Sequence, residues 1–167
     1  GGGKLALTAT GNIVNRAGGL IQAAAGLNVT AGGDIRNEAE SADARGAIVA
    51  DRLDVQALAG SIVNQGLMQA GAQGAHLAAS TVDNTAGALI VLSGAAGVDG
   101  QITAGTFGNA GYVQSEGGAA ITAGTTFDNQ GKILLEGDLS LRTAEDLSLG
   151  GVVRAGGTLD ARQEADD

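Results

Sequence analysis

A short phrase built around one Asn recurs along nearly the whole chain. An apolar residue stands two places before the Asn, a Gly follows, and apolar residues come after the Gly, as in residues 62–68 (IVNQGLM). The repeated residues are Asn15, Asn37, Asn64, Asn84, Asn109 and Asn129, so the steps between them are 22, 27, 20, 25 and 20 residues. A repeat of about 20 residues predicts a solenoid, in which each copy packs against its neighbours along the chain.

Apolar and polar residues alternate on both sides of the Asn. Outward positions after the Gly include Gln22, Gln69 and Gln114. The second and fourth residues after the Gly are therefore expected to point inward, namely Ile21 and Ala23, Ile48 and Ala50, Met68 and Ala70, Leu89 and Val91, Val113 and Ser115, Ile133 and Leu135, and Val153 and Ala155. A second alternating strand precedes each Asn. Alternation by two argues against helical repeats, which show spacings of three and four.

Two or three short strands per repeat, joined by Gly-rich corners, predict an all-β fold, a parallel β-helix of about seven coils of ~20 residues. One such segment is expected to span residues 1–167. Strands of successive coils stack about 4.8 Å apart, so equivalent residues should lie over one another. The expected apolar ladder is Ile13, Ile35, Ile62, Val82, Phe107, Phe127 and Leu147. In this ladder Phe107 should stack on Phe127, one coil away.

The repeated Asn has a structural explanation at a corner. Asn tolerates left-handed backbone angles, and stacked Asn side chains can hydrogen-bond to one another along the axis. The Gly that follows can adopt the same tight turn without a Cβ penalty. We therefore interpret Asn15 to Asn129 as a structural ladder. The alternative, in which these side chains line a ligand groove, is less favoured.

Composition narrows the classes of partner. The net charge of −9, with only nine dispersed Lys and Arg residues, argues against nucleic acid and against anionic membrane surfaces. With no Cys and one His, the chain cannot build a thiolate metal site or a multi-His site, and no cofactor is expected. There is no apolar run long enough to enter a membrane and no signal-peptide pattern. A secreted origin would therefore make the chain an excised internal piece.

Two insertions, at about 38–45 and 93–100, lengthen individual repeats. The first contains Glu38, Glu40, Asp43 and Arg45, and loops on a rigid scaffold commonly carry binding residues. Three carboxylates beside one Arg are a candidate site for Ca²⁺ or a polar partner, although no EF-hand spacing is present and a solvated insertion is the simpler interpretation. The second insertion is small and flexible in composition, with little chemistry.

Single residues add few candidates for chemistry. Tyr112 is predicted at an outward or corner position, where its ring is a candidate for stacking on a sugar. His76 falls on an outward position with no evident partner, and a lone His excludes a His-based triad. Carboxylate-only catalysis would need acids grouped with Arg or Lys and with aromatic sugar platforms, and no such cluster is evident. An enzyme is therefore not expected.

The repeats resemble a known family. Residues 53–57 (LDVQA) and 62–70 (IVNQGLMQA) look like the haemagglutinin repeats of filamentous-haemagglutinin-type exoproteins, the two-partner-secretion adhesins of Gram-negative bacteria. Similar repeats form the shafts of contact-dependent growth-inhibition toxins. The resemblance covers essentially the whole chain and implies a long right-handed β-helical filament, exported through an outer-membrane partner barrel to the cell surface.

Several features of that family are missing here. The chain has no Pro and so lacks the Asn-Pro motifs of the secretion domain, and residues 45–47 (RGA) depart from Arg-Gly-Asp at the third position. The Val-Glu-Asn-Asn boundary of the growth-inhibition toxins is absent as well. No functional residue of the family can therefore be carried over, and the resemblance implies only architecture and location.

We predict the shaft of a secreted cell-surface adhesin, which provides reach and display and attaches through its parent protein to a receptor or glycan on a host or neighbouring cell. A second hypothesis is a glycan- or receptor-binding module that uses the 38–45 insertion. A third, a polysaccharide-active β-helix enzyme, is the least favoured. Neither nucleic-acid binding nor membrane insertion is expected.

Overall fold

The computed structural model describes residues 3–164, and within that range it contains β-strands and no helix, so no helix there could span a membrane. The strands are β1 (Lys4–Ala9), β2 (Ile13–Asn15), β3 (Leu20–Ala31), β4 (Ile35–Asn37), β5 (Ala47–Ala57), β6 (Ser61–Asn64), β7 (Leu67–Asn84), β8 (Leu89–Ser93), β9 (Gly100–Asn109), β10 (Tyr112–Ser115), β11 (Ala119–Asn129), β12 (Lys132–Leu135), β13 (Leu139–Thr143), β14 (Asp146–Leu149), β15 (Val152–Ala155) and β16 (Leu159–Gln163).

Each coil passes through three strand positions, which we call rows 1, 2 and 3. In the first coil row 1 is β1, row 2 is β2 with the Asn, and row 3 is the start of β3 after the Gly corner. Long strands bend through the corners, since β3 and β5 run from row 3 into row 1 of the next coil. Strands of successive coils pair in parallel throughout, forming about seven coils. The predicted all-β parallel β-helix is confirmed.

Row 2 carries the apolar ladder at the expected register. The Cα partners along it are Ile13, Ile35, Ile62, Val82, Phe107, Phe127 and Leu147, each paired with the next. The rings of Phe107 and Phe127 lie 5.0 Å apart between centroids with their planes at 31°. That separation is in the range of favourable aromatic pairs, so the stack contributes beyond the area it buries.

A narrow aliphatic core runs through the coils. Leu27, Ile48, Leu77 and Ile102 are fully buried, together with both Phe side chains. Burial of such a side chain contributes about 1.5–3 kcal/mol, and in a stacked array these terms add from coil to coil. Small buried side chains, such as those of Ala31 and Ala70, keep this core narrow.

The prediction for the inward residues of row 3 is wrong in the fourth coil. Met68 pairs with Ile90, and Ile90 and Leu92 are the buried residues there. Leu89 and Val91, which were expected to point inward, lie half-buried on the outer side. The row is therefore displaced by one residue relative to the Gly spacing in the sequence.

The displacement comes from a longer corner. Gly87 has a left-handed φ of 81°, and Ala88 follows it as the residue that stacks on the neighbouring coils. The amide of Leu89 donates to the carbonyl of Gly66, and the amide of Tyr112 donates to the carbonyl of Ala88. Ala88 therefore occupies the place that Gly66 and Gly111 hold in adjacent coils, and the sequence count from Gly87 starts one residue early.

The two ends of the solenoid are less buried than its middle. Leu5 is 37% exposed although its row 1 partner Leu27 is fully buried, and Leu159 is 47% exposed although its partner Leu139 is 1% exposed. The sequence position is equivalent in each pair. The difference arises because an end coil has a neighbour on one side only, which is the behaviour of a repeat array.

Candidate functional sites

The repeated Asn side chains form a buried hydrogen-bonded ladder. Five hydrogen bonds of 2.7–2.9 Å link the six residues, in each of which Nδ2 donates to the Oδ1 of the Asn one coil further on, in the order Asn15, Asn37, Asn64, Asn84, Asn109 and Asn129. Nδ2 of Asn37 also donates to the backbone carbonyls of Gly46 and Leu67. All six side chains are at most 6% exposed. The ladder satisfies corner carbonyls and presents no surface to a ligand.

The 38–45 insertion folds back on itself and is fixed to the coils below it. Ala39 and Arg45 form an antiparallel bridge, and the amide of Glu40 donates to the carbonyl of Ala44. The guanidinium of Arg45 reaches past one coil and donates from Nη1 to the carbonyl of Gly87 at 2.7 Å. Arg45 is thus engaged with the scaffold, and the loop is held in one position beside a shallow hollow of about 280 Å³.

The acidic residues of this insertion are not brought together. Glu40 and Asp43 are exposed and Glu38 is half-buried. Within residues 3–164 no three His, Cys, Asp or Glu side chains are grouped so that they could hold a metal ion. What the loop offers is separate exposed carboxylates on a fixed backbone, which suits polar contacts with a partner better than coordination of Ca²⁺.

Tyr112 lies on the outer side of row 3 and is 40% exposed. Its row partner one coil on is Lys132, whose Nζ lies 5.2 Å from the centre of the Tyr112 ring. That distance is within the range of a cation–π contact, which at an exposed site contributes about 0.5–1 kcal/mol. One face of the ring is therefore already covered by a neighbour.

A polar groove lies on the outer side of row 1, where sequence reasoning identified no site. It consists of two adjoining hollows of about 390 and 380 Å³ that share Arg52 and Gln73. Lys4 lines the first hollow and His76 the second. We call this surface the row 1 groove, defined by Lys4, Asn28, Arg52, Asp54, Gln73 and His76.

His76 has a partner within the row 1 groove. It sits one coil beyond Asp54 in register, and its Nδ1 lies 3.4 Å from Oδ1 of that carboxylate. Gln56 donates from Nε2 to the same oxygen at 3.0 Å. Asp54 and His76 are 22 positions apart in the chain, so their pairing becomes visible only when the row 1 strands of successive coils are aligned.

Family comparison accounts for almost the entire chain. The model of the haemagglutinin repeat matches residues 1–66, 39–98 and 91–163. The chain belongs to the haemagglutinin-repeat family. Haemagglutinin repeats are typical of secreted, cell-surface adhesins, and the family is structural and adhesive rather than enzymatic. No curated protein matches the chain, and no solved structure matches it.

Carboxylates at the corners of these haemagglutinin repeats accept hydrogen bonds from backbone amides. Oδ1 of Asp34 accepts from the amide of Ser61 at 3.0 Å, Oδ1 of Asp99 accepts from the amide of Gly118 at 2.9 Å, and Oδ1 of Asp138 accepts from the amide of Thr158 at 2.6 Å. Each bond joins one coil to the next. These three carboxylates therefore stabilise contacts between successive coils.

Two carboxylates, those of Asp34 and Asp160, show a lowered pKa. The pKa of Asp34 lies below its ordinary value, first because the Ser61 amide donates to the carboxylate and second because Arg36 pairs with it at 3.1 Å. The pKa of Asp160 is also lowered, first by its hydrogen bond with Arg142 and then by that with Arg162. Both shifts favour the ionised form, as expected for carboxylates that accept hydrogen bonds.

The predicted binding residues thus divide into separate places. Glu38, Glu40, Asp43 and Arg45 share one loop, while Tyr112 lies in a different coil beside Lys132. The row 1 groove was missed because its residues come from four successive coils. The sequence reveals the groove only when the haemagglutinin repeats are aligned coil by coil. In that alignment Lys4, Gly26, Arg52 and Gly74 occupy equivalent positions.

Proposed function

We propose that this chain is a single shaft segment of a longer secreted bacterial surface filament, and that its role is to hold other parts of the parent protein away from the cell. The observation that carries this proposal is the Asn ladder, which passes both insertions without losing a hydrogen bond between Asn15 and Asn129. A ladder of this kind fixes the rise and orientation of each coil. Stiffness and length are then properties of the repeat itself.

Membership of the family supports the proposed location and partners. An exported filament of haemagglutinin repeats would leave through an outer-membrane transporter and meet a receptor or glycan on a host or neighbouring cell through the parent chain. A chain without Cys suits export in an unfolded state, since no disulfide can form on the way. The right-handed winding implied by the family is part of the same proposal.

The increase in particle length with the number of coils tests the shaft proposal. Four extra tandem copies of residues 110–129, inserted after Asn129, add four coils in register and should lengthen the particle by about 19 Å. Small-angle scattering would measure this as an increase in maximum dimension at constant cross-section. The matched control inserts the same number of residues with the Asn of every added copy replaced by Leu, which should weaken or misalign the added coils. An extended variant that folds but keeps its original length would overturn the proposal.

Location needs a separate test. An antibody raised against the purified chain should label intact cells of the producing bacterium, and permeabilising those cells should add little signal. Labelling that requires permeabilisation would contradict display at the surface.

A second candidate function is recognition by the 38–45 insertion. It is favoured by the contact between Arg45 and the carbonyl of Gly87, which fixes the loop and leaves Glu40 and Asp43 exposed. Loops held in this manner lose little entropy when they bind. Replacement of residues 38–45 by a two-residue turn should abolish binding of the purified chain to target cells or glycans while the fold is retained. The control shortens 94–99, and unchanged binding after loss of 38–45 would return the function to the shaft alone.

A further inference from the structure

The outward side of row 1 alternates a large cation with glycine. Lys4 pairs with Gly26, Gly26 with Arg52, and Arg52 with Gly74, so each cation is separated from the next by a residue without a side chain. Coils stack about 4.8 Å apart, which places the backbones of Lys4 and Arg52 roughly 9.6 Å from each other. Gly26 therefore forms the floor of a notch with a cation on each side.

Neither cation has a partner in the described part of the chain. Arg36, Arg45, Arg142 and Arg162 each make a hydrogen bond or ion pair with the protein. Lys4 and Arg52 make no side-chain hydrogen bond and no ion pair within residues 3–164, and both are exposed. Their charge is available to a ligand.

The walls of the notch can satisfy hydroxyl groups as well as an anion. The hollow of about 390 Å³ between the cations is lined by Asn28, Asp54 and Gln73. Gln73 is held by a hydrogen bond from its Nε2 to Oδ2 of Asp51 at 2.7 Å, so its position is fixed. Asp54 uses Oδ1 for Gln56 and His76 and keeps Oδ2 as an acceptor. An amide donor, a carboxylate acceptor and two cations thus surround one small space.

We propose that this notch binds a single carboxylate-bearing sugar unit, a hexuronate, with its carboxylate between Lys4 and Arg52 and its hydroxyls on Asn28 and Asp54. The volume is in the range of small-molecule sites. Charge-assisted bonds from a guanidinium to a carboxylate are among the stronger polar contacts. Asp54 and the net charge of −9 disfavour a polyanion, and a free carboxylate oxygen on the protein favours a ligand with hydroxyl donors over an acidic peptide.

Titration by ¹H–¹⁵N NMR provides the test. Glucuronic acid should produce saturable shifts at the amides of residues 26–28, 52–54 and 73, with a Kd on the order of 1 mM, while glucose should not. Arg52→Gln should weaken binding about tenfold, because it removes a charge-assisted hydrogen bond. Arg154→Gln is the matched control, since Arg154 is exposed on row 3, and it should leave Kd unchanged.

A second variant blocks the space without removing a charge. Gly26 does not have a left-handed φ, and a Cβ built on it would lie 3.6 Å from Cγ of Lys4, an ordinary contact. Gly26→Gln should therefore keep the fold, which the NMR spectrum reports directly, and abolish the shifts. Equal shifts with glucose, equal loss with Arg154→Gln, or unchanged binding by Gly26→Gln would each overturn the proposal. So would preferential binding of a highly sulfated glycan or of a poly-glutamate peptide, because the notch would then be a simple cationic patch.

Discussion

Two rows of this solenoid use the same stacking for opposite purposes. At the row 2 corner one residue type repeats six times, is buried, and bonds to its own kind in the next coil. On the outer side of row 1 a charged residue alternates with glycine, and the charged groups at Lys4 and Arg52 are left unpaired among the described residues. The residue that repeats in every coil therefore maintains the fold. The positions at which the residue changes from coil to coil create space and unpaired charge. A matched pair of substitutions at the two rows can separate these roles.

The largest difference is expected for Asn64→Leu against Asn28→Leu. Asn64 donates to Asn84 Oδ1 and to the carbonyl of Leu89, and it accepts from Asn37, all in a fully buried position. Leu at 64 leaves these groups without partners, so we expect a loss of roughly 2–5 kcal/mol in the free energy of unfolding. Leu at the exposed Asn28 should change it by less than about 0.5 kcal/mol.

Urea unfolding followed by far-UV circular dichroism measures both values. Because stability in a repeat array is shared between neighbouring coils, the Asn64→Leu variant should also lose cooperativity. Similar midpoints for the two variants would mean that the Asn ladder does not hold the coils together, and the comparison between the rows would fail.

Glycine gives the next largest contrast. A Cβ on Gly66 would collide with the backbone carbonyl of Gly46, whereas a Cβ on Gly26 would make only an ordinary contact. Gly66→Ala should therefore cost about 1–3 kcal/mol through overpacking. Gly26→Ala should be neutral or stabilise the protein by about 0.4–1 kcal/mol, because Ala restricts the unfolded chain more than Gly does. Thermal unfolding of the two variants would reveal the difference in sign, and destabilisation by Gly26→Ala would show that the notch is a packing requirement.

The contrast between residues that repeat in every coil and residues that vary explains how much of the structure can be predicted from the sequence. The Asn and Ile/Phe ladders follow from the sequence because each coil repeats them at nearly constant spacing. The inward set at Leu89 and Val91 was wrong because spacing does not reveal which residue of a Gly-Ala pair stacks, and here it is Ala88. Contacts such as His76 with Asp54 depend on register between coils of unequal length. The length of each insertion must be known before such residues can be aligned.

A smaller effect on stability is expected at the 38–45 insertion, which Arg45 attaches to the coils. Arg45→Ala removes the hydrogen bond to the carbonyl of Gly87, an exposed contact, so the free energy of unfolding should fall by no more than about 1 kcal/mol. The loop itself should open more often, because local opening depends on its own contacts. Limited proteolysis should cleave within 38–45 faster in this variant. Arg16→Ala, which removes another exposed Arg outside the loop, should leave the cleavage rate unchanged, and equal cleavage of Arg45→Ala and the unaltered protein would show that the tether is dispensable.

The smallest effect is a pH dependence at the corner. Hydrogen bonds from Ser61 and Arg36 hold the pKa of Asp34 below its ordinary value of 3.8, so folding favours the ionised carboxylate. Its contribution is therefore fully present above the unfolded-state pKa and is lost as the pH falls through the folded-state pKa. Asp34→Asn should be less stable than the unaltered protein near pH 6, and the gap should close as the pH drops below about 4. Glu145→Gln, at an exposed carboxylate with no side-chain hydrogen bond in the described range, is the matched control for the loss of one negative charge. Parallel urea midpoints for Asp34→Asn and the unaltered protein down to pH 3 would contradict a role for the ionised corner carboxylate and would leave coil-to-coil coupling to the Asn ladder and the core.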